Sequence, residues 1–163
     1  MQQLWAPWRM TYIGDVDKDK EEGCFFCNAW SHRGQEREHL LLYRGDTCFV
    51  MMNRYPYSNA HLMIAPVRHA GSMEDVTNEE GGELWRLATK AKLALSKAIN
   101  PQGFNIGINQ GRVAGAGVLD HLHIHIVPRW NGDVNFMPVF ADIRVIPQAL
   151  EETWEMLRPF FSE

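Results

Sequence analysis

The stretch Asp120–Trp130, DHLHIHIVPRW, decides the fold prediction for this chain. Its three histidines, His121, His123 and His125, alternate with apolar residues. Successive side chains of a β-strand point to opposite faces of the sheet. The pattern therefore predicts a strand that carries three imidazoles on one face and apolar side chains on the other.

A row of three imidazoles fills a sheet face poorly. Each neutral ring has a donor and an acceptor nitrogen that need partners when buried, and β-branched or aromatic side chains pack better there. The row therefore indicates a functional site, which could either bind a metal ion or act on a phosphate group. A His-x-His pair can hold a metal ion, with a third ligand completing a catalytic zinc site. Alternatively, one imidazole attacks phosphorus while its neighbours donate hydrogen bonds to the oxygens.

The segment before the histidines, residues 111–117, is a glycine-rich loop, GRVAGAG. Glycines let backbone N–H groups approach an anion closely, so we expect Gly115 and Gly117 to contact phosphate. A three-histidine metal site needs no such loop, whereas a phosphoryl or nucleotidyl site needs several donors aimed at the phosphate oxygens. The loop therefore favours phosphate chemistry.

Three other segments have the patterns of β-strands. Residues 40–53 predict a hairpin with its turn at residues 44–46, and a strand opens at His61 and ends at Pro66, which cannot donate to a sheet ladder. In residues 104–110, apolar side chains alternate with small or polar ones. Cys48 falls in the hairpin and is expected to be a small core residue.

Two segments have helical patterns. Thr77 and Glu80 form a capping box for a helix that runs to Ile99, with one apolar stripe along it. A final helix is predicted to begin near Pro147. Strands, one long helix, more strands and a last helix together indicate an α+β fold with an antiparallel sheet.

The length and charge of the chain limit its class. A chain of 163 residues suits one domain, which we divide into an N-terminal arm and charged loop (1–23), a core (24–135) and a C-terminal segment (136–163). The net charge of −4 gives no general attraction to nucleic acid or anionic membranes. There is no signal-peptide pattern or apolar run of membrane-spanning length, and three cysteines argue against a disulfide framework, so a cytoplasmic location is expected.

The pair Cys24-Phe-Phe-Cys27 has a spacing that zinc often uses. One such pair is only half of a metal site. A redox motif is a second interpretation, although no βαβ pattern surrounds it, and a pair of buried inert thiols is a third. The spacing alone leaves all three open.

The histidine motif resembles that of the histidine-triad nucleotide hydrolases and transferases. The block at residues 53–66, NRYPYSNAHLMIAP, is similar to their upstream block, in which an Asn precedes a Pro and then a His that opens a strand. Gln110 lies eleven residues before His121, as a corresponding Gln does in the branch that splits dinucleoside polyphosphates. The segments at 4–9 and 128–139 look most like bacterial diadenosine tetraphosphate phosphorylases. The resemblance covers about residues 24 to 135.

This resemblance implies a role for each candidate residue. His123 would be the nucleophile that attacks the α-phosphate and forms a nucleotidyl-imidazole intermediate. His125 and His61 would donate to phosphate oxygens. Gln110 would contact the bridging oxygen, and Asn53 would bind the ribose.

The resemblance also supplies the missing half of the metal site. Zinc-bearing members use two cysteines, the first triad histidine and a histidine eight residues after the one that opens the strand. In this chain these are Cys24, Cys27, His121 and His69, which would form a closed, structural zinc site. Trp130 would stack on a base, or else fill a core or an interface as an aromatic side chain.

The implied activity is cleavage of diadenosine tetraphosphate or triphosphate by a homodimer, with orthophosphate or water as the second acceptor. Ala116 and Gly117 offer only backbone where the phosphorylase branch can have a polar residue, whereas Gln110 favours the hydrolase. The enzymatic alternatives are a nucleoside phosphoramidate hydrolase and a hexose-phosphate uridylyltransferase, whose third triad position is usually Gln. A three-histidine metallohydrolase and a nucleotide-binding signalling module are the others. No organic cofactor, nucleic acid or membrane partner is expected.

Overall fold

The computed structural model describes residues 23–133 and 148–162. The predicted N-terminal arm and nearly all of the charged loop lie outside these ranges, as does Pro147. Among the described residues, no helix is long and apolar enough to cross a membrane.

Five strands form one antiparallel sheet, which confirms the predicted α+β class. In chain order they are β1 (Leu41–Arg44), β2 (Cys48–Met52), β3 (Leu62–Pro66), β4 (Gly103–Ile108) and β5 (Ile124–Arg129). Their order across the sheet is β1-β2-β3-β5-β4. The strand that contains His125 therefore lies inside the sheet, between β3 and β4.

The prediction that all three histidines lie on a strand is wrong for His121 and His123. The ladder between β3 and β5 stops at the Ile64–Ile124 pair, so only His125 belongs to β5. The chain just before β5 bonds elsewhere, since Leu122 N donates to the carbonyl of Ala70 at 2.7 Å. The physical reason is that β3 ends at a proline, which has no N–H for the next rung.

Helix α2 (Asn78–Ile99) covers one face of the sheet. Its capping box is present as predicted: the Glu80 N–H donates to the Thr77 hydroxyl, and the Thr77 N–H donates to the Glu80 carboxylate. The predicted apolar stripe packs on the sheet residues Val50, Ile64 and Ile126. Helix α3 (Leu150–Leu157), which begins three residues later than predicted, adds Leu157 to the same core. Cys48 is fully buried in this core, as expected.

The other face carries a short helix that the sequence did not predict, α1 (Phe25–Ser31). Its Phe26 and Ala29 are fully buried and belong to the cluster that contains Phe49 and Met63. Seven residues between polar loops give too few turns for a helical period to be visible. Because α1 contains Cys27, it brings half of the Cys-x-x-Cys pair to this face.

A buried carboxylate fastens the turn between β1 and β2 to α2. Glu83 accepts hydrogen bonds from the backbone N–H groups of Asp46, Thr47 and Cys48 at 3.1, 2.5 and 3.0 Å, and from the Thr47 hydroxyl at 2.6 Å. Arg86 donates to it at 2.6 Å. Burial by itself raises the pKa of Glu83, but the bonds from Thr47, Asp46 and Cys48 outweigh it and the net pKa is lowered. We call this group the Glu83 clamp.

Candidate active site and metal centre

Four buried histidines lie on the sheet face that α1 covers. His125 is in register with Met63, which belongs to the α1-side cluster. Ring centroids are 4.6 Å apart for His123 and His125, and 5.1 Å for His61 and His125. The Phe26 ring lies 4.7 Å from that of His123 and 5.0 Å from that of His121. The rings of His61, His125 and His123 thus form a row along this face, and Phe26 connects the row to His121.

The backbone determines which nitrogen of His123 holds a proton. Its Nδ1 lies 2.8 Å from the carbonyl oxygen of His121. A carbonyl can only accept, so Nδ1 carries the hydrogen and the Nε2 lone pair is unprotonated. Burial lowers the pKa of His123, which keeps the ring neutral at pH 7. A neutral imidazole with a lone pair on Nε2 has the electronic form of a nucleophile.

A hydrogen bond from His61 places the proton of His125 on Nε2, which is the opposite tautomer to that of His123. The backbone N–H of Tyr57 donates to Nδ1 of His61 at 3.1 Å, and the Asn53 amide nitrogen lies 3.3 Å from the same atom. The His61 proton is therefore on Nε2, which donates to Nδ1 of His125 at 3.0 Å. His125 then carries its own proton on Nε2, which makes it a donor. Burial, followed by the nearby His123 ring, lowers the pKa of His125 to about 4.

The Asn109 side chain contacts His125, which sequence reasoning missed. Its side-chain amide nitrogen lies 3.4 Å from Nε2 of His125. Because that Nε2 carries a proton, the amide would have to turn over for its oxygen to accept from it. The alternation of residues in 104–110 could have indicated this contact. Gly107 is in register with His125, and Asn109 is two residues further along the same face.

Gln110 and the glycine-rich loop follow Asn109 in the chain. The Gln110 side-chain oxygen accepts from the backbone N–H of Met73 at 3.4 Å. The loop makes a 3-10 turn (Arg112–Ala114) between Gly111 and Gly115, whose φ values of 86° and 87° favour glycine. Val118, just after Gly117, packs on the cluster that contains Phe26.

The two residues predicted to bind the nucleoside are Asn53 and Trp130. Asn53 is buried, and its side-chain oxygen also accepts from the backbone N–H of Tyr55 at 2.9 Å. Trp130 directly follows β5 and is partly buried. Its backbone N–H donates to the Asp133 carboxylate at 3.1 Å.

The predicted metal ligands converge at the other end of the row. The ligand atoms of Cys24, Cys27, His69 and His121 all lie within 4.8 Å of one another. Nδ1 of His121 is 3.3 Å from the Cys24 sulfur and 3.7 Å from the Cys27 sulfur. Nδ1 of His69 is 3.4 Å from the Cys27 sulfur. We call these four residues the Cys/His cluster.

The donor set fits a tetrahedral zinc ion. Usual zinc–sulfur and zinc–nitrogen bonds place neighbouring ligands roughly 3.6 Å apart, close to the separations in the cluster. Nε2 of His121 lies 2.8 Å from the carbonyl oxygen of Pro66, so it holds the proton and leaves the Nδ1 lone pair facing the sulfurs. Burial, followed by the neighbouring Cys24, raises the pKa of Cys27 to about 11. A bound cation would offset this cost of placing two thiolates together.

The chain is similar to known proteins in sequence and in fold. Residues 34–132 match the family model described as HIT domain. The chain is 37% identical over 161 residues to an AP-4-A phosphorylase of Mycobacterium tuberculosis, covering 96% of this chain and 83% of that protein. It is 29% identical over 133 residues to a bis(5'-adenosyl)-triphosphatase of Dictyostelium discoideum, covering 78% and 89%. A Zn-bound histidine triad family protein of Mycobacterium smegmatis shares the fold, with a TM-score of 0.67 at 22% identity over 86% of this chain and 94% of that one.

Proposed function

This chain belongs to the HIT domain family, and from that premise we propose that it cleaves diadenosine tetraphosphate or triphosphate through a nucleotidyl-histidine intermediate. The single observation that carries the proposal is the bond from Nδ1 of His123 to the carbonyl of His121. This bond leaves a lone pair on Nε2 of a neutral, buried imidazole. The named relatives from Mycobacterium tuberculosis and Dictyostelium discoideum support the substrate class.

The reaction proceeds in two displacements. Nε2 of His123 attacks the α-phosphorus, so that a phosphorus–nitrogen bond forms while the bond from phosphorus to the bridging oxygen breaks. The bridging oxygen keeps the electron pair and leaves with the rest of the polyphosphate. An oxygen of orthophosphate or water then attacks the same phosphorus and any proton it carries passes to solvent, while the phosphorus–nitrogen bond breaks and returns the electron pair to Nε2 of His123.

The surrounding groups stabilise the charge that develops on the phosphate oxygens. His125 donates to them from Nε2, and the backbone N–H groups near Gly115 and Gly117 contribute further donors. His61 donates a hydrogen bond from Nε2 to His125 and therefore acts through that residue, as a positioning residue. Gln110 turns to the bridging oxygen once substrate separates it from Met73.

The remaining predicted residues bind the nucleoside and the metal. Asn53 contacts the ribose, and Trp130 stacks on a base. The Cys/His cluster would hold one zinc ion in a closed site, which supplies a structural cross-link and leaves no coordination position for water. The cross-link would hold α1, with its Phe26, against His123.

We also propose that the chain acts as a homodimer. Within the described part of the chain, β4 is an edge strand whose Ile106 is 51% exposed. Trp85 on α2 is 75% exposed. An exposed edge strand with apolar side chains is a ready surface for pairing with another chain. Light scattering with Ile106→Asp tests this, since the variant should shift the protein from dimer to monomer.

Product analysis tests the activity. Diadenosine tetraphosphate is incubated with the protein, with and without orthophosphate, and the nucleotides are separated. ADP and ATP formed only with orthophosphate indicate a phosphorylase, whereas AMP and ATP indicate a hydrolase. Binding without turnover favours the signalling module, and turnover of adenosine 5'-phosphoramidate alone favours the phosphoramidate hydrolase. His123→Ala should abolish turnover, and activity retained by this variant would refute the nucleophile assignment.

A further inference from the structure

A cavity beside the histidine row has no part in the chemistry described so far. Its volume is about 270 Å³. Side chains from the loop before β3, from β4 and from the end of β5 line it: Tyr57, Ser58, Asn105, Val127, Arg129 and Asp133. Its lining is therefore of mixed polarity, with one aromatic wall.

The cavity continues the sheet face that carries His125. Val127 and Arg129 follow His125 at a spacing of two on β5, so they share its face, and Asn105 is in register with Val127. Arg129 is thus about 13 Å along the strand from His125. Tyr57 joins the two regions, because its ring lies 5.7 Å from that of His125, with an angle of 29° between the planes.

The charges in the cavity are already balanced. Arg129 donates from Nε and from one terminal nitrogen to the Asp133 carboxylate at 2.6 and 2.9 Å, and from the other to the Asn105 side-chain oxygen at 2.7 Å. The Arg129 guanidinium holds the pKa of Asp133 at about 2, so the pair remains ionised at neutral pH. A phosphate would have to displace Asp133 from Arg129, whereas an uncharged ring with polar edges would not.

The size of the cavity limits its ligand further. Sites for whole drug-sized ligands span roughly 300 to 1,000 Å³, so this cavity suits one nucleoside-sized group and not a complete dinucleotide. In the proposed reaction, one nucleoside stays attached to His123 while the other half leaves. That leaving half carries a second neutral, ring-shaped group at the end of its phosphates.

We propose that this cavity binds the nucleoside of the leaving half and thereby selects dinucleoside over mononucleoside polyphosphates; the inference rests on the proposed function. Tyr57 supplies aromatic surface, and Ser58, Asn105 and Asp133 face the polar edges of the nucleoside. The phosphates extend from His125 along β5 to reach it.

The test compares two substrates that differ only in this group, diadenosine tetraphosphate and adenosine 5'-tetraphosphate. Asn105→Trp fills the cavity from β4, and light scattering must show that the variant keeps the wild-type oligomeric state, because Asn105 adjoins Ile106 of the proposed dimer edge. We expect KM for the dinucleotide to rise about tenfold, while KM for adenosine 5'-tetraphosphate changes less than about twofold. Leu93→Trp, which adds the same indole at an exposed position of α2, is the control and should change neither value.

Each outcome is decisive. Equal KM changes for both substrates, or none, would overturn the inference while leaving the proposed function intact. A wild-type protein that turns over neither substrate would refute the proposed function, and the inference with it. If circular dichroism shows that Asn105→Trp does not fold, Ser58→Phe fills the cavity from the opposite wall and must show the same selective KM effect.

Discussion

Two polar groups hold helices against opposite faces of the sheet, and they differ in whether they are complete. In the Glu83 clamp, one buried carboxylate accepts hydrogen bonds from three backbone N–H groups, a hydroxyl and Arg86. In the Cys/His cluster, two thiols and two imidazoles direct their ligand atoms at one another. The Glu83 carboxylate finds its hydrogen-bond donors within the protein. The four ligand atoms of the cluster would be best satisfied by an ion that binds all of them.

This difference separates stability from activity. The clamp and the capping box fix α2, which packs on the apolar face of β5. With the proposed ion bound, the cluster would fix α1, whose Phe26 lies against His123. We therefore expect changes on the α2 face to alter folding alone, and changes on the α1 face to couple folding to metal and pH.

The largest effect should follow removal of the clamp. Glu83→Leu leaves the N–H groups of the β1–β2 turn without their acceptor and should cost about 4 kcal/mol in free energy of unfolding. Urea denaturation measures this, and a chelator should not change the size of the effect. Glu79→Leu removes an exposed glutamate from the same helix and should cost under about 1 kcal/mol. Equal costs for the two variants would contradict the role of the clamp.

Metal removal should have the next largest effect. Stripping the ion with a chelator should lower the free energy of unfolding by about 3 kcal/mol, the value for a ligand present at about a hundredfold its dissociation constant. Cys27→Ser should lose this response. Cys48→Ala alters the buried cysteine outside the cluster and should keep it. Elemental analysis that finds no stoichiometric zinc in the purified protein would contradict the metal assignment.

Acidification should have a smaller effect on the α1 face. The pKa of His125 is about 4 when folded, below its ordinary value of 6.5, so the unfolded chain binds more protons between these values. Its contribution to stability is complete above pH 6.5 and decreases as the pH falls towards 4, reaching a loss of about 2 kcal/mol at pH 5.

Urea denaturation between pH 7 and pH 5 checks this dependence. His125→Asn should give a shallower dependence on pH than the wild type, whereas His32→Asn, which removes an exposed histidine, should not. A slope that His125→Asn leaves unchanged would show that other groups cause the acid sensitivity.

The smallest effect should come from the capping box. Thr77→Ala removes the acceptor for the Glu80 N–H and should cost about 1 kcal/mol. Urea denaturation measures the change, and activity per folded molecule should stay at the wild-type value. Reduced activity at full folding would show that the α2 face is coupled to the site.

The sequence predicted the features that depend on near neighbours. Helix α2 was recognisable because Thr77, Glu80 and the apolar stripe all lie within 23 residues. The Glu83 clamp was not, because its acceptor and donors are 35 to 37 positions apart and no local period links them. The strand prediction failed at His121 because the neighbouring strand ends at Pro66, a fact about pairing and not about the motif itself.

The site was predictable to a similar extent. Spacing alone left Cys24 and Cys27 open to three interpretations, and only the family resemblance joined them to His69 and His121. Asn109 could have been found from the alternation of β4, but only once β4 was known to pair with β5. Nothing in the sequence indicated that His61 would bond to His125, because that contact depends on the register of β3 and β5.

Main-chain atoms assign the protons of the three tautomers, and this makes the row tolerant of mutation. The Tyr57 N–H fixes His61, and the carbonyls of His121 and Pro66 fix His123 and His121. Every standard residue keeps its carbonyl, and proline alone lacks the N–H. A substitution at position 66 therefore keeps the carbonyl that holds the His121 proton, and proline at position 57 is the one substitution there that removes the N–H donor to His61.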